Sequence, residues 1–237
     1  MRLRVLVYNV KAFRRGVRDA AALVAEHTPD IAMIQECGPR YRLRRFASTL
    51  GMDVASHHDF LRRSIHNAVL VRPPWRIVSK RLHRFPKDRP FYPRGVLVAR
   101  VGRAGFRAWV GSVHLGLEGA ARRRNVEELL AVAIGLDGPV LVGGDFNEGP
   151  DSPAVRWLSD RMWDCFGAAG QGPGETFPSD GATSRIDYIF VNEAVTAERV
   201  WVLGGSAAAA SSDHLPLLGD VVLSNGCDRL SGGDPVR

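Results

Sequence analysis

Several residues of this chain have side chains suited to acid–base or metal chemistry, and each stands at the end of an apolar run or inside one. Val5-Leu6-Val7-Tyr8 runs into Asn9, and Ile31-Ala32-Met33-Ile34 runs into Gln35-Glu36. Trp109–Val113 leads to His114. Val140-Leu141-Val142 leads through Gly143-Gly144 to Asp145-Phe146-Asn147. Asp187 lies between Ile186 and Tyr188-Ile189-Phe190, and Ser212-Asp213-His214 precedes the last apolar run. Any one Asp or Asn after a strand is ordinary turn chemistry. Asp187 is not, because a carboxylate within an apolar strand is costly unless it is paired or metal-bound. Glu, His and several Asp residues ending the apolar runs of one chain point to a shared site.

These residue types suit one kind of reaction. Hard divalent cations such as Mg²⁺ take carboxylate and amide oxygens, leaving positions for water and substrate phosphate. A phosphoester must have its charge neutralised before an oxygen nucleophile attacks. The reaction also needs a base for the attacking water and an acid or cation for the leaving oxygen. A His oriented by a carboxylate supplies such a proton-handling group.

The elements that would position these residues are strand-rich. Apolar or alternating runs predict strands over Arg2–Val10, Ile31–Gln35, Ala68–Arg72, Val96–Val101, Arg107–Leu115, Val140–Val142, Arg185–Val191 and Leu217–Leu223. Runs apolar on both parities, such as Ile31–Ile34, predict strands buried on both faces. Helices are predicted over Val17–His27 and Tyr41–Leu50, and along the stripe Val126, Leu129, Leu130, Ala133, Ile134. A short helix is predicted after Ser152-Pro153. The run Gly204–Ser212 reads as a mobile loop. One domain over residues 1–223 is expected, followed by a poorly ordered tail over 224–237.

Composition narrows the setting. The chain has 237 residues and three cysteines, Cys37, Cys165 and Cys227, with no Cys-x-x-Cys pair. That pattern favours neither a disulfide framework nor a zinc knuckle. No signal peptide or membrane span is visible, so a cytoplasmic monomer without stable membrane association is expected. The net charge is +7, and 29 of the 32 basic residues are Arg, a skew that a GC-rich coding sequence would also produce. The charge is concentrated. Cys37–Arg84 holds ten Arg and one Lys against Asp53 and Asp59 alone. Such a face favours an anionic partner, the alternative being an Arg-rich solvated surface.

The Tyr8-Asn9 strand, Gln35-Glu36, Ser112-Val113-His114-Leu115, Gly144-Asp145-Phe146-Asn147, Arg185-Ile186-Asp187-Tyr188-Ile189 and Ser212-Asp213-His214 follow one another in order along nearly the whole chain. This series resembles the endonuclease/exonuclease/phosphatase superfamily. The resemblance implies an α/β fold, a four-layer α/β/β/α sandwich of two packed, mainly antiparallel sheets flanked by helices. It implies Glu36 as the principal Mg²⁺ ligand (Mn²⁺ substituting), Asn9 beside it on metal-linked oxygen or phosphate, and Asp213 as a further metal-side carboxylate. It implies Asp145 and Asn147 positioning water and phosphate, Asp187 and His214 as a dyad, and His114 contacting phosphate or assisting the leaving group. Either Asp145 or the dyad could be the base. Arg94 is a candidate anion contact, with surface Arg the alternative, and Asn67 is a candidate site neighbour.

A metal-dependent phosphodiesterase acting on nucleic acid is the expectation, on the basic stretch after Glu36. The alternatives are a phosphatase or phosphodiesterase of a small molecule or lipid headgroup and, more remotely, a binding module that has lost the chemistry.

Overall fold

The computed structural model describes residues 1–57, 65–86 and 93–224. The expectation for the tail falls outside these residues from position 225 onward, as do Arg62 and Arg63 of the basic stretch. In chain order the elements are β1 (Arg2–Asn9), α1 (Val17–Ala25), β2 (Ile31–Gln35), α2 (Arg40–Leu50), β3 (Asp53–Ser56), β4 (Ala68–Val71) and β5 (Arg76–Arg84). Then come β6 (Gly95–Arg103), β7 (Phe106–His114), α3 (Gly119–Ile134), β8 (Val140–Asp145), α4 (Pro153–Ser159), β9 (Trp163–Asp164) and α5 (Cys165–Ala169). The chain continues with β10 (Gly170–Gln171), β11 (Asp187–Val191), β12 (Val195–Val202), α6 (Ser206–Ser211) and β13 (Leu217–Leu223).

The strands form two mixed sheets. One has the order β10-β12-β13-β1-β2-β4-β3 and the other β5-β6-β7-β8-β11-β9. Most pairings are antiparallel; β1–β2, β7–β8 and β10–β12 are parallel.

Strand parity builds the layers. Val5 and Val7 of β1, Ile31 and Met33 of β2, Leu141 of β8 and Ile189 of β11 pack together between the sheets. Their neighbours of opposite parity, Leu6, Tyr8, Ala32 and Ile34, pack under Val24 of α1 and Leu43 and Phe46 of α2. On the second sheet Val113, Val142, Tyr188 and Phe190 pack under Val126 and Leu129 of α3 and Leu158 of α4. Three apolar interfaces separate four layers, so the central strands must be apolar on both faces. Burying each large aliphatic side chain contributes about 1.5–3 kcal/mol. No described helix is long and apolar enough to cross a membrane.

Two departures from the sequence reading have plain causes. β5 and β12 were not expected, because their exposed, Arg- and Glu-bearing sequences lack a buried run. β5 is the outer strand of its sheet, where charge blunts the open edge. The run expected as a mobile loop instead contains α6, which begins after Gly205. Alanine is the best helix former. The Arg15 guanidinium also donates to the carbonyls of Ala209 and Ser212, both at 2.6 Å, and so satisfies the end of this helix.

Two glycines let the layers close. A Cβ at Gly143 would lie 2.5 Å from Val7 and 2.8 Å from Met33 across the sheets. A Cβ at Gly144 would lie 1.8 Å from the Val113 carbonyl oxygen, which is backbone and cannot swing away. Gly144→Ala should therefore cost about 1–3 kcal/mol, the usual range for overpacking. Urea unfolding of the variant measures this, and an unchanged midpoint would contradict the close approach.

Candidate active site

The parity that sends Val7 between the sheets also sends Asn9 there. In the same way Gly143 precedes Asp145, Ser112 precedes His114, and Asp187 shares a face with Ile189. Register completes the arrangement. His114 is opposite Asp145 in the β7–β8 pair, and Asp145 is opposite Asp187 in the β8–β11 pair. Asn9 is opposite Gln35 in the β1–β2 pair. The chemically active side chains thus converge at one end of the inter-sheet core, and Asn9, His114, Asp145, Asp187 and His214 are all buried there.

Asp145 is the hub. Its Oδ2 accepts from the Asn9 amide at 2.9 Å and lies 3.3 Å from His114 Nε2 and 3.6 Å from His214 Nε2. Its Oδ1 accepts from the Asn147 backbone N–H at 2.9 Å, closing a turn in which Asn147 takes a left-handed φ of 54°. The Asn147 amide donates to the Leu115 carbonyl at 3.1 Å. Arg94 donates to His114 Nδ1 at 2.9 Å, which places the neutral ring's proton on Nε2, facing Asp145.

Asp187 and His214 form the expected dyad, Oδ2 to Nδ1 at 2.8 Å. Phe177 packs against the imidazole with ring centroids 5.0 Å apart. Thr176 Oγ1 accepts from the Asp187 N–H at 3.3 Å, and its carbonyl accepts from the Leu215 N–H at 2.8 Å. Ser212 donates to the Asn9 carbonyl at 2.7 Å and ties the dyad's loop to the end of β1. Thr176, Phe177 and Ser212 position the dyad, and nothing in the local sequence around Thr176 signals that role.

Burial alone would raise the Asp145 pKa. His114 and His214 beside it, with the Asn9 hydrogen bond, outweigh that and hold the carboxyl well below its ordinary range. Burial likewise pushes Asp187 up, and it would lower His214. For His214 the charge and hydrogen bond of Asp187, with Asp145 and Asp213 behind, prevail and raise the ring to about 10. At neutral pH these neighbours hold His214 toward its charged form, with its proton in the hydrogen bond to Asp187.

The remaining candidates are placed as follows. Glu36 follows β2 in a left-handed conformation, φ 47°, and its carbonyl accepts from Ala12 at 2.7 Å. Its carboxylate is half-buried and has no hydrogen-bond or ion-pair partner among the described residues. Asp213, expected on the metal side, instead holds Lys11 Nζ at 2.5 Å, a partner the sequence did not reveal. Asn67, expected near substrate, donates both amide hydrogens to backbone, to Gly95 O at 2.9 Å and Ser112 O at 3.0 Å. It ties β4 to the β6–β7 pair across the sheets, which leaves only its carbonyl oxygen for any substrate contact. Cys37 is buried, and burial pushes its thiol up to about 12, so it is inert at neutral pH.

Two groups fit a divalent cation. Ligand atoms of Asp145, Asp187 and His214 all lie within 4.8 Å of one another. The 2.8 Å Asp187–His214 contact is a hydrogen bond with a proton between its atoms, so this cluster reads first as a proton-holding group. The Glu36 carboxylate, without a partner among the described residues, offers hard oxygen ligands.

The comparisons accord with this geometry. The chain matches the Endonuclease/Exonuclease/phosphatase family over residues 6–214. It belongs to that family, whose members are phosphoester hydrolases. No curated protein sequence matches it. Among solved structures, an endonuclease/exonuclease/phosphatase from Bacteroides vulgatus superposes with a TM-score of 0.81 at 19% identity, covering 94% of this chain and all of that one. A mannosyl-6-phosphatase from Bacteroides thetaiotaomicron gives 0.78 at 23% identity, covering 93% and 100%. D. rerio TDP2 complexed with a single-strand DNA product gives 0.76 at 17% identity, covering 93% and 99%. At these identities the structures establish the shared fold.

The raised His214 value has a consequence for stability. A group whose pKa is raised on folding stabilises fully below its unfolded value, here 6.5, and loses that contribution as pH rises through about 10. In metal-free protein, the gap in urea midpoint between wild type and His214→Gln should be widest near pH ~6 and narrow towards pH ~10. A gap that is flat across this range would show that the imidazolium charge is not what the pair contributes.

Proposed function

We propose that this chain is a Mg²⁺-dependent phosphodiesterase acting on nucleic acid. The observation that carries the hydrolytic reading is Asp145. It is a buried carboxylate kept ionised at the open end of the inter-sheet core, with a protonated histidine on one side and an amide donor on the other. In this reading Asp145 orients the attacking water and accepts its proton as the new P–O bond forms and the P–O bond to the leaving oxygen breaks. The His214 imidazolium, held by Asp187, faces a phosphoryl oxygen and stabilises its growing charge. His114, fixed by Arg94, donates to the same region from Nε2. Asn147 aligns the phosphate with its amide.

Mg²⁺ held by Glu36, with Asn9 at the adjoining strand end, would supply further charge neutralisation at the phosphate and the leaving oxygen. Asp213 would take part only if Lys11 released it. The nucleic-acid substrate is favoured by the Arg-rich stretch Cys37–Arg84, since phosphate contacts dominate that affinity.

A second reading rests on a cavity of about 530 Å³ that Asn147 shares with the site. Glu148, Glu175, Thr183 and Phe166 also line it. Its size and polar wall suit one sugar-sized group, as in a small phosphate ester. Turnover measured with Mg²⁺ on single-stranded and duplex DNA, RNA, sugar phosphates and inositol phosphates separates the two. Activity confined to the small esters would overturn the nucleic-acid reading.

Asp145→Ala and His214→Ala should each lower turnover by about 10³-fold, within the range for positioned acid–base groups, while the far-ultraviolet spectrum stays native. Unchanged turnover in either would refute the site. Chelation should abolish activity, and Mg²⁺ or Mn²⁺ should restore it. Glu36→Gln should weaken Mn²⁺ binding, read by calorimetry, by at least about tenfold. Should His214→Gln weaken it and Glu36→Gln not, the cation belongs to the Asp145–Asp187–His214 cluster instead.

A further inference from the structure

A second feature lies away from the reacting centre. Arg40 and Arg44 are one turn apart on α2 and share a face of that helix. They line a cavity of about 350 Å³ together with Leu43, with Val54, Ser56 and His57 at the end of β3, and with Lys80 of β5. Every titratable side chain that lines it among the described residues is basic. Lys80 Nζ donates to the Ser56 carbonyl at 2.7 Å and pins the edges of the two sheets at this point. The His57 Nδ1 is buried without a partner.

No carboxylate among the described residues is paired with any of these four groups. Elsewhere the chain does pair its arginines. Arg4 holds Asp220 at 2.7 Å, Arg122 holds Glu148 at 2.5 Å and Arg185 holds Asp164 at 2.6 Å. The arrangement in the cavity is also unfavourable by itself. Like charges four residues apart on a helix repel. Arg40 opens α2, where the helix end is already positive and the first turn holds no acidic residue. An external anion would relieve both conflicts.

The cavity lies beside the outer strands β3 and β5, on a flank adjoining the end of the sheets that holds the reacting centre. α2 begins four residues after Glu36, and Ser56 is opposite Ala68, next to Asn67. Lys80 is opposite Ala99, whereas Arg84 is opposite Gly95, which is itself opposite His114. Lys80 therefore lies four residues down its strand and two strands across from His114, about 16 Å at the usual rise and strand spacing. A B-form strand carries a phosphate about every 3.4 Å of axis, so about five nucleotides span this distance.

We propose that Arg40, Arg44, His57 and Lys80 form a phosphate-binding pocket that grips the nucleic-acid backbone several nucleotides away from the scissile phosphate. This assignment rests on the nucleic-acid reading above and adds to it where the strand is held away from the reacting bond.

The test uses the full chain and fluorescein-labelled single-stranded DNA, a dinucleotide and an oligonucleotide of about twelve residues, with binding read by anisotropy in chelator across a salt series. Arg40→Gln, Arg44→Gln and Lys80→Gln are combined in one variant. Its affinity for the longer strand should fall by about tenfold or more. The slope of log affinity against log salt should shrink by about 2, from three lost contacts at ~0.7 each on single strands. Dinucleotide binding and the Mg²⁺-supported hydrolysis of bis(4-nitrophenyl) phosphate should not change, and unchanged hydrolysis also certifies the fold. Equal affinity and slope for the longer strand in wild type and variant would overturn the pocket. So would competition by inorganic tripolyphosphate as strong as that by the oligonucleotide, which would make it a small-anion site. Pocket-dependent binding of a strand that wild type never cleaves with Mg²⁺ would support the pocket and count against nucleic-acid hydrolysis.

Discussion

One row of backbone pairing underlies the site. His114, Asp145 and Asp187 are register neighbours across β7, β8 and β11, and all three point into the space between the sheets. A slip of one residue in any of these strands would turn its side chain to the helix-covered face and put a residue without acid–base chemistry at neutral pH in its place. The apolar interior is therefore part of the catalytic apparatus. Val5, Val7, Leu141 and Ile189 hold the parity that Asn9, Asp145 and Asp187 inherit at the open end.

The arrangement is electrostatically demanding. Two carboxylates and two imidazoles are almost dry, and unpaired burial of any one would be strongly unfavourable. Each is offset by a specific partner, Asn9 and His114 for Asp145, His214 for Asp187, Arg94 for His114. Asp187 Oδ1 is buried and unsatisfied, a local cost of the kind that concentrates where function constrains sequence. The pairing also divides labour. The carboxylate that stays free of a proton and the ring that keeps one are set by surroundings, because neither residue type alone would choose.

Much of this was legible in the sequence because strands are local and periodic. The ends of β1, β2, β7 and β8 were visible as apolar runs stopping at polar residues, and the buried charge of Asp187 stood out against its neighbours. The close approach at Gly143 was not legible, because its partners, Val7 and Met33, lie more than a hundred residues away. Lys11 on Asp213 escaped for the same reason, and Thr176 under Asp187, only 11 residues away, escaped because a single loop Thr carries no periodic signal. α6 escaped because its glycine and serine flanks read as loop, while its stabilising partner is Arg15 near the other end of the chain. Asn67, read from the sequence as a site neighbour, has a structural task that its sequence did not signal, since its amide ties the two sheets.

The first and last long strands of the described chain are neighbours. β13 pairs antiparallel with β1 along six residue pairs, and the Met1 amine donates to the Leu223 carbonyl at 2.6 Å. Ser212 reaches Asn9 across the same seam. Asn9 and His214 therefore meet at Asp145 only after residues 10–213 between them have been made. A nascent chain holds Glu36, His114 and Asp145 long before it can close the Asp187–His214 pair onto them. Loop closure over such a separation is slow relative to local folding. A chain interrupted before His214 thus carries most of the cluster without the ring that completes it.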